Sequence, residues 1–275
     1  MYSIIMQCSL SRLFLMIGGN ETPDDCGSTG FTVSGDCQGN LFCGAGNEGP
    51  LFWETVKTDI PVIIGLYSNY RMDISVLPPD ARRLFELSAN AFDAVIGAWL
   101  SELPITEEII RFGRKILAAA GIAAHAGRRA AEAAATDRGD PDVRAVLDAA
   151  YKVWHEIHRL MGLLRFNPDE AGVYIARCGP DHFILPALGP HFKERFGRQP
   201  WAIIDEKRRL CMRCSNESLE VHKMGGSALS NNPQGGEWEN LWRHYHKTIN
   251  NESRNNPDLQ RRFMPQRYWK YLTEL

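Results

Sequence analysis

Between His158 and Arg209 the sequence HRLMGLLRFNPDEAGVYIARCGPDHFILPALGPHFKERFGRQPWAIIDEKRR sets histidines, carboxylates and arginines among short apolar runs. Residue types of this kind support three chemistries. His182 or His191 can act as general acid or base with Asp181 or Asp205 orienting the ring, which is the equipment of an enzyme working on nucleotides or DNA. Arg159, Arg165, Arg195 and Arg208 can engage phosphates, because a guanidinium fork binds them bidentately, and Trp201 can stack on a base. The same groups can also satisfy one another and merely fix the fold. All three readings are open on the letters alone.

A second basic run closes the chain. In RRFMPQRYWKYL, Arg261, Arg262, Arg267 and Lys270 alternate with Phe263, Tyr268, Trp269 and Tyr271. Cations interleaved with aromatics can hold a phosphate backbone and stack on bases, and a docked helix with a solvated basic face reads the same way.

Metal and redox chemistry find less support. His182 and His191 are nine residues apart, which puts them on opposite faces of a straight helix unless Pro186 and Pro190 redirect the chain. Cys26, Cys37 and Cys43 lack the close pairing of a zinc ribbon, and Cys211-x-x-Cys214 falls in a strand pattern instead of opening a helix. No phosphate-binding loop, dinucleotide fingerprint or CxxxCxxC cluster motif occurs, so no metal and no cofactor are expected.

The elements that position these groups follow from caps and periodicity. The spacing predicts a strand over Tyr2–Gln7, a helix opening at Ser9, a Gly/Asn-rich loop over 18–50, and a strand over Leu51–Val56. Asp59 followed by Pro61 predicts a helix through Tyr70, with the aspartate as its cap. One long helix from Pro79 to Pro104 and another from Thr106 to Ala135, bent near Gly121, follow. Asp140 and Pro141 open a helix whose apolar stripe is Val143, Val146, Leu147, Ala150, Trp154, Ile157 and Met161. It ends at Gly162 with His158 and Arg159 in its last turn. There the two can stabilise the negative helix end or hand polar groups to a site beside Arg165.

Beyond Gly162 the period becomes alternating. Leu164–Phe166 and Val173–Ala176 predict an antiparallel hairpin around Asn167-Pro168-Asp169. A helix capped by Asp181 runs to about Phe196, then strands cover Trp201–Ile204, Arg209–Arg213 and Leu219–His222. The expectation is an α+β fold, a helical N-terminal half packed with a C-terminal antiparallel sheet in the order strand, strand, helix, strand, strand, strand, closed by terminal helices. One helix carries an apolar stripe of Trp238, Leu241, Trp242, Tyr245 and Ile249, read as core-facing, and Asn256-Pro257 begins the last. Residues 1–50 form a degenerate entry and loop. Residues 51–275 form one domain, mainly helical over 51–162.

Composition bounds the rest. The 275 residues are 44% hydrophobic, enough for a sizeable core. Residues 1–150 carry 12 Lys and Arg against 19 Asp and Glu, whereas 151–275 carry 19 against 14. The basic half can attract phosphates or acidic partners. Seven scattered cysteines argue for a reducing compartment, and no apolar run reaches the ~20 residues of a membrane helix. The start lacks a basic region before an apolar core interrupted by polar residues, so a cytoplasmic, membrane-free protein is expected.

HRLMGLLRF, GVYIA, PDHFILPALGPHFKERF, PWAIIDEKRR and the closing LWRHYHKTI and NPDLQRRFMPQRYWKYL together resemble a bacterial family known as "probable DNA metabolism protein", from about residue 79 to the end. The family pattern is met by His158, Arg159, Arg165, Tyr174, Asp181, His182, His191, Arg195, Trp201, Asp205 and Arg208, and at the end by Asn256, Pro257, Tyr268 and Trp269. The resemblance implies a setting in DNA repair or modification. Its implied partners are DNA and a radical-SAM putative DNA modification protein, for which this chain is an accessory. Some relatives carry a fused uracil-DNA-glycosylase-like domain; no such domain is expected within these residues, and the resemblance implies no base-excision activity for them.

Overall fold

A computed structural model describes residues 9–19, 57, 59–67, 77–122, 127–224, 237–249, 251, 253 and 256–272. The strands expected at Tyr2–Gln7 and Leu51–Val56, and nearly all of the loop expected at 18–50, lie outside these residues. The chain divides into two compact units, Met1–Val62 with Arg71–Trp154, and Ile63–Tyr70 with His155–Leu275.

The first unit is helical. Helix α1 (Leu10–Gly18) opens at Ser9, whose hydroxyl accepts from Arg12 N. The buried Asp59, directly before α2 (Ile60–Tyr67), reaches back to the same end: its carboxylate accepts from Leu10 N at 2.8 Å, so it caps α1. Burial pushes the Asp59 carboxyl above its ordinary value, against the pull of those bonds. One face of α1 carries Leu10, Leu13, Phe14, Met16 and Ile17 into the core. There Phe14 stacks on Phe92 with centroids 5.5 Å apart.

The single helix expected from Pro79 to Pro104 is two, α3 (Pro79–Leu87) and α4 (Ala89–Leu100). Ser88 sits between them in extended conformation and its hydroxyl accepts from Ala91 N. A serine that bonds the backbone ahead of it competes with helix continuation, and here it wins. Helix α4 is buried on nearly every side. Gly97 allows the approach of α7 (Pro141–Leu163), since a Cβ there would lie 3.1 Å from the Ala150 backbone. The alanine-rich run is also two helices, α5 (Thr106–Ile122) and α6 (Gly127–Thr136), not one bent rod.

Asp140 caps α7 as its pattern predicts, accepting from Asp142 N and Val143 N. Lys115 reaches Asp140 at 2.5 Å and Asp142 at 2.7 Å, and Arg111 forks onto Asp142. The bond from Lys115 holds Asp140 below the ordinary carboxyl value of 3.8, and Arg111 and then Lys115 do the same for Asp142. A carboxyl with a depressed folded pKa stabilises the fold fully above the unfolded value, and the contribution is lost as pH falls below it. Urea midpoints are therefore expected to drop between about pH 5 and about pH 3, and Asp142→Asn, already weaker at neutral pH, to drop less. An equal drop in both proteins would remove this network from the acid response.

In the second unit, β1 (Asn167–Pro168) and β2 (Tyr174–Cys178) form the expected hairpin, but Asn167 and Pro168 are the strand and not the turn. Helix α8 (Leu185–Phe196) begins four residues after Asp181, which is not its cap. Strands β3 (Trp201–Asp205), β4 (Leu210–Ser215) and β5 (Ser218–Lys223) complete a sheet of order β1-β2-β3-β4-β5. The α+β class holds, yet the sheet is mixed. Strands β2 and β3 are parallel, paired from Tyr174 with Trp201 to Cys178 with Asp205. Helix α8 carries the chain back to the starting edge, and two strands joined that way run in the same direction.

Every residue of β3 is buried, whereas β4 alternates buried and outward positions. Helix α7 runs to Leu163, so Gly162 is interior and His158 and Arg159 stand before its last turn. Its buried stripe keeps Val143, Val146, Ala150 and Ile157 of the expected one and widens to one side. Val153, Glu156 and Leu160 face inward, while Trp154 is 39% exposed.

Candidate functional site

The carboxyl ends of the parallel pair β2 and β3 carry a dense polar cluster. The chain leaves β2 at Cys178 and crosses to α8 through a short loop, Gly179 to Ile184, with charged groups fixed on both its faces. From α7, the buried Glu156 accepts from Asp181 N and His182 N, each at 2.9 Å. From the turn after β3, the Arg208 guanidinium donates to Pro180 O at 3.1 Å and Asp181 O at 3.0 Å. Asp205 neutralises it at 3.0 Å, and both side chains are fully buried. Asp205 also accepts from Lys207 N and Arg208 N, a local turn that aspartate favours. The loop backbone is therefore held by a buried anion on one side and a buried cation on the other.

Two aromatic hydroxyls from the 3-10 turn Gln266–Tyr271 complete the arrangement. Tyr268, fully buried, donates to Glu156, and Arg267 reaches Glu156 at 3.4 Å and Asp181 at 2.9 Å. Tyr271 donates to Glu206 at 2.8 Å, close against Gly179, where a Cβ would sit 2.8 Å from its hydroxyl. Arg177 and Lys270 also approach Glu206. Burial first, and the neighbouring carboxylates second, push both tyrosines far above their ordinary value of 10, so each remains a donor at any working pH.

The structure brings Asp181, His182, Asp205, Arg208 and Arg267 together, with Lys270 beside them. It separates the others. Trp201 and Asp205 stand at opposite ends of β3, about 13 Å apart at strand rise. At the Trp201 end, Phe166, Phe192 and Phe196 surround the indole, and Tyr174 packs on Phe196. A fully buried Trp201 has no face to offer a base, which corrects its expected role as a stacking residue. His191 lies edge-on to Phe192 in this aromatic group, and burial, with Arg195 adding to it, lowers its pKa toward a neutral ring. Arg165 donates to Gly162 O and Leu164 O, capping the end of α7. His158 and Arg195 are exposed and Arg159 half-buried.

Arg208 also changes role. A guanidinium with no solvent-accessible surface that bonds two carbonyls and an aspartate holds the loop, not a phosphate. A run of further exposed cations lies nearer the C-terminus. Side chains of Arg261, Arg267 and Lys270 are 56%, 44% and 65% exposed, and Arg262 is exposed beside them on helix α10 (Pro257–Phe263). Asn256 caps α10 as expected, accepting from Leu259 N. Helix α9 (Glu237–Ile249) departs from expectation. Leu241, Trp242, Tyr245 and Ile249, read as core, are 57%, 40%, 50% and 58% exposed.

Glu156 and Tyr268 carry the cluster; Glu156 has no role in the sequence analysis, and Tyr268, expected there among the aromatics that can stack on bases, is buried against Glu156 instead. For Glu156 a signal existed: it is an acid three residues after Val153 and four before Leu160, on the buried stripe of α7. Cys211 and Cys214, in contrast, are no redox pair. Cys214 points inward from β4 and Cys211 to the other face, and burial raises both thiols. Among the described residues no group of three or more His, Cys, Asp or Glu is arranged to hold a metal, and no helix is long and apolar enough to cross a membrane.

The second unit is thus an α+β module whose parallel strand pair ends in a loop clamped by buried charge. The chain belongs to the domain of unknown function family DUF4130, whose model matches residues 115–274. No curated protein and no solved structure matches it.

Proposed function

We propose that this chain is an accessory protein of DNA metabolism that holds nucleic acid on the cations of its C-terminal helices. The observation that carries the reading is the run of solvent-facing Arg261, Arg262, Arg267 and Lys270, in the half of the chain with more cations than anions. The sequence resemblance supplies the DNA setting. Glu156, Asp181 and the Tyr268 hydroxyl hold one edge of the Arg267 guanidinium while 44% of the side chain faces water. Phosphate held by such groups releases counterions, so affinity falls linearly with salt on logarithmic axes.

The test is DNA binding by the purified protein across a salt series. Binding that weakens steeply with salt is expected, with the slope reduced by about one in Arg262→Ala and again in Lys270→Ala. Both side chains are exposed, so the fold survives their removal. Negligible, salt-independent association by the folded protein overturns the reading and leaves a protein partner, the radical-SAM protein implied by the resemblance, as the alternative.

A further inference from the structure

The geometry points to a single-stranded nucleic acid as the ligand, selected by Trp242 and Tyr245 of α9, an inference that rests on the reading above. An amphipathic helix ordinarily turns its apolar stripe to the core. Here the stripe faces solvent over its whole described length, with half or more of Leu241, Tyr245 and Ile249 in water. Trp242 and Tyr245, one turn apart, place their ring centroids 5.7 Å from each other at an interplanar angle of 35°. Phe263 on α10 is a third exposed ring, at 62%.

Charge identifies the occupant. Between Glu237 and Leu272 there are seven Lys and Arg against four Asp and Glu, a balance suited to a polyanion. Arg243 and Lys247 lie on the side of α9 away from the stripe, where they draw phosphate in without blocking the rings. Exposed aromatic faces beside surplus positive charge are what unstacked bases on a phosphate chain require. A duplex keeps its base faces covered by their neighbours and gains nothing from these rings.

The experiment compares affinities for an oligothymidylate and for a duplex of equal length, at one salt concentration, in wild type and in Trp242→Ala/Tyr245→Ala. Wild type is expected to prefer the single strand. The double variant is expected to lose roughly 10- to 100-fold of that affinity and less than about twofold for the duplex. An unchanged ratio, with both affinities still salt-dependent, overturns this inference and leaves the phosphate reading standing. No binding to either ligand overturns both. If sedimentation shows a wild-type dimer that becomes a monomer in the variant while the ratio stays fixed, the face belongs to a second copy of the chain and the inference also falls.

Discussion

Arg208→Met is expected to remove about 3–5 kcal/mol of folding stability, read as a lower urea midpoint at unchanged slope. Arg208 and Asp205 have no exposed side-chain surface, so deleting the cation strands a carboxylate where water cannot solvate it. It also leaves Pro180 O and Asp181 O without their guanidinium donor. Arg208→Lys is expected to fall only partway back toward wild type, because a single ammonium cannot reproduce the planar fork that spans Asp205 and both carbonyls. Adding Asp205→Asn to Arg208→Met is expected to restore part of the loss. The amide removes the stranded charge and keeps an oxygen for Lys207 N and Arg208 N. A loss below about 1 kcal/mol in Arg208→Met would mean the pair is not sealed in solution.

That experiment also separates what the sequence discloses from what it hides. Ser9, Asp140 with Pro141, and Asn256 with Pro257 mark helix starts correctly because a cap is a contact within three residues. Ser88 acts by the same chemistry, but apolar residues on either side keep the helical period unbroken across it, so periodicity concealed the break. The parallel pairing of β2 with β3 joins residues 27 apart, from Tyr174 to Trp201, and no local signal states it. The sequence reading took Asp181 for a helix cap. Its actual partners, the carboxylate of Glu156, the Arg208 guanidinium and Arg267, come from three other elements.

The exposed stripe of α9 shows the converse limit. Spacing reveals that Leu241, Trp242, Tyr245 and Ile249 share one face, but whether anything covers that face is a matter of tertiary structure. The same limit applied to Trp201. An indole among scattered arginines reads as a stacking platform, and only the packing of Phe166, Phe192 and Phe196 reveals it as core. Asp181, His182 and Asp205, close in residue type and position, do meet in the fold; Arg267, read with the C-terminal cations, joins them from another element, and Trp201 and Arg208 are buried where the letters suggested surface groups.

The second large effect is expected at Glu156, a buried carboxylate on α7. Glu156→Ala leaves three donors without their acceptor at once, Asp181 N, His182 N and the Tyr268 hydroxyl, and removes one of the two carboxylates beside Arg267. Each buried donor left unsatisfied costs about 1–3 kcal/mol, and partial relaxation brings the expected total to about 3–5 kcal/mol. Glu156→Gln is expected to lose less. One oxygen remains an acceptor, while the amide nitrogen opposes whichever donors meet it. Tyr268→Phe is expected to lose least, about 1 kcal/mol, since both backbone donors keep their carboxylate. Amide exchange adds a local readout: protection of Asp181 N–H and His182 N–H is expected to vanish in Glu156→Ala and persist in Tyr268→Phe. If the order were reversed, with the phenylalanine variant the weaker, the tyrosine and not the carboxylate would be holding the loop. The clamp at the ends of β2 and β3 would then depend on the C-terminal 3-10 turn, and removing that turn would release the loop as completely as removing Glu156.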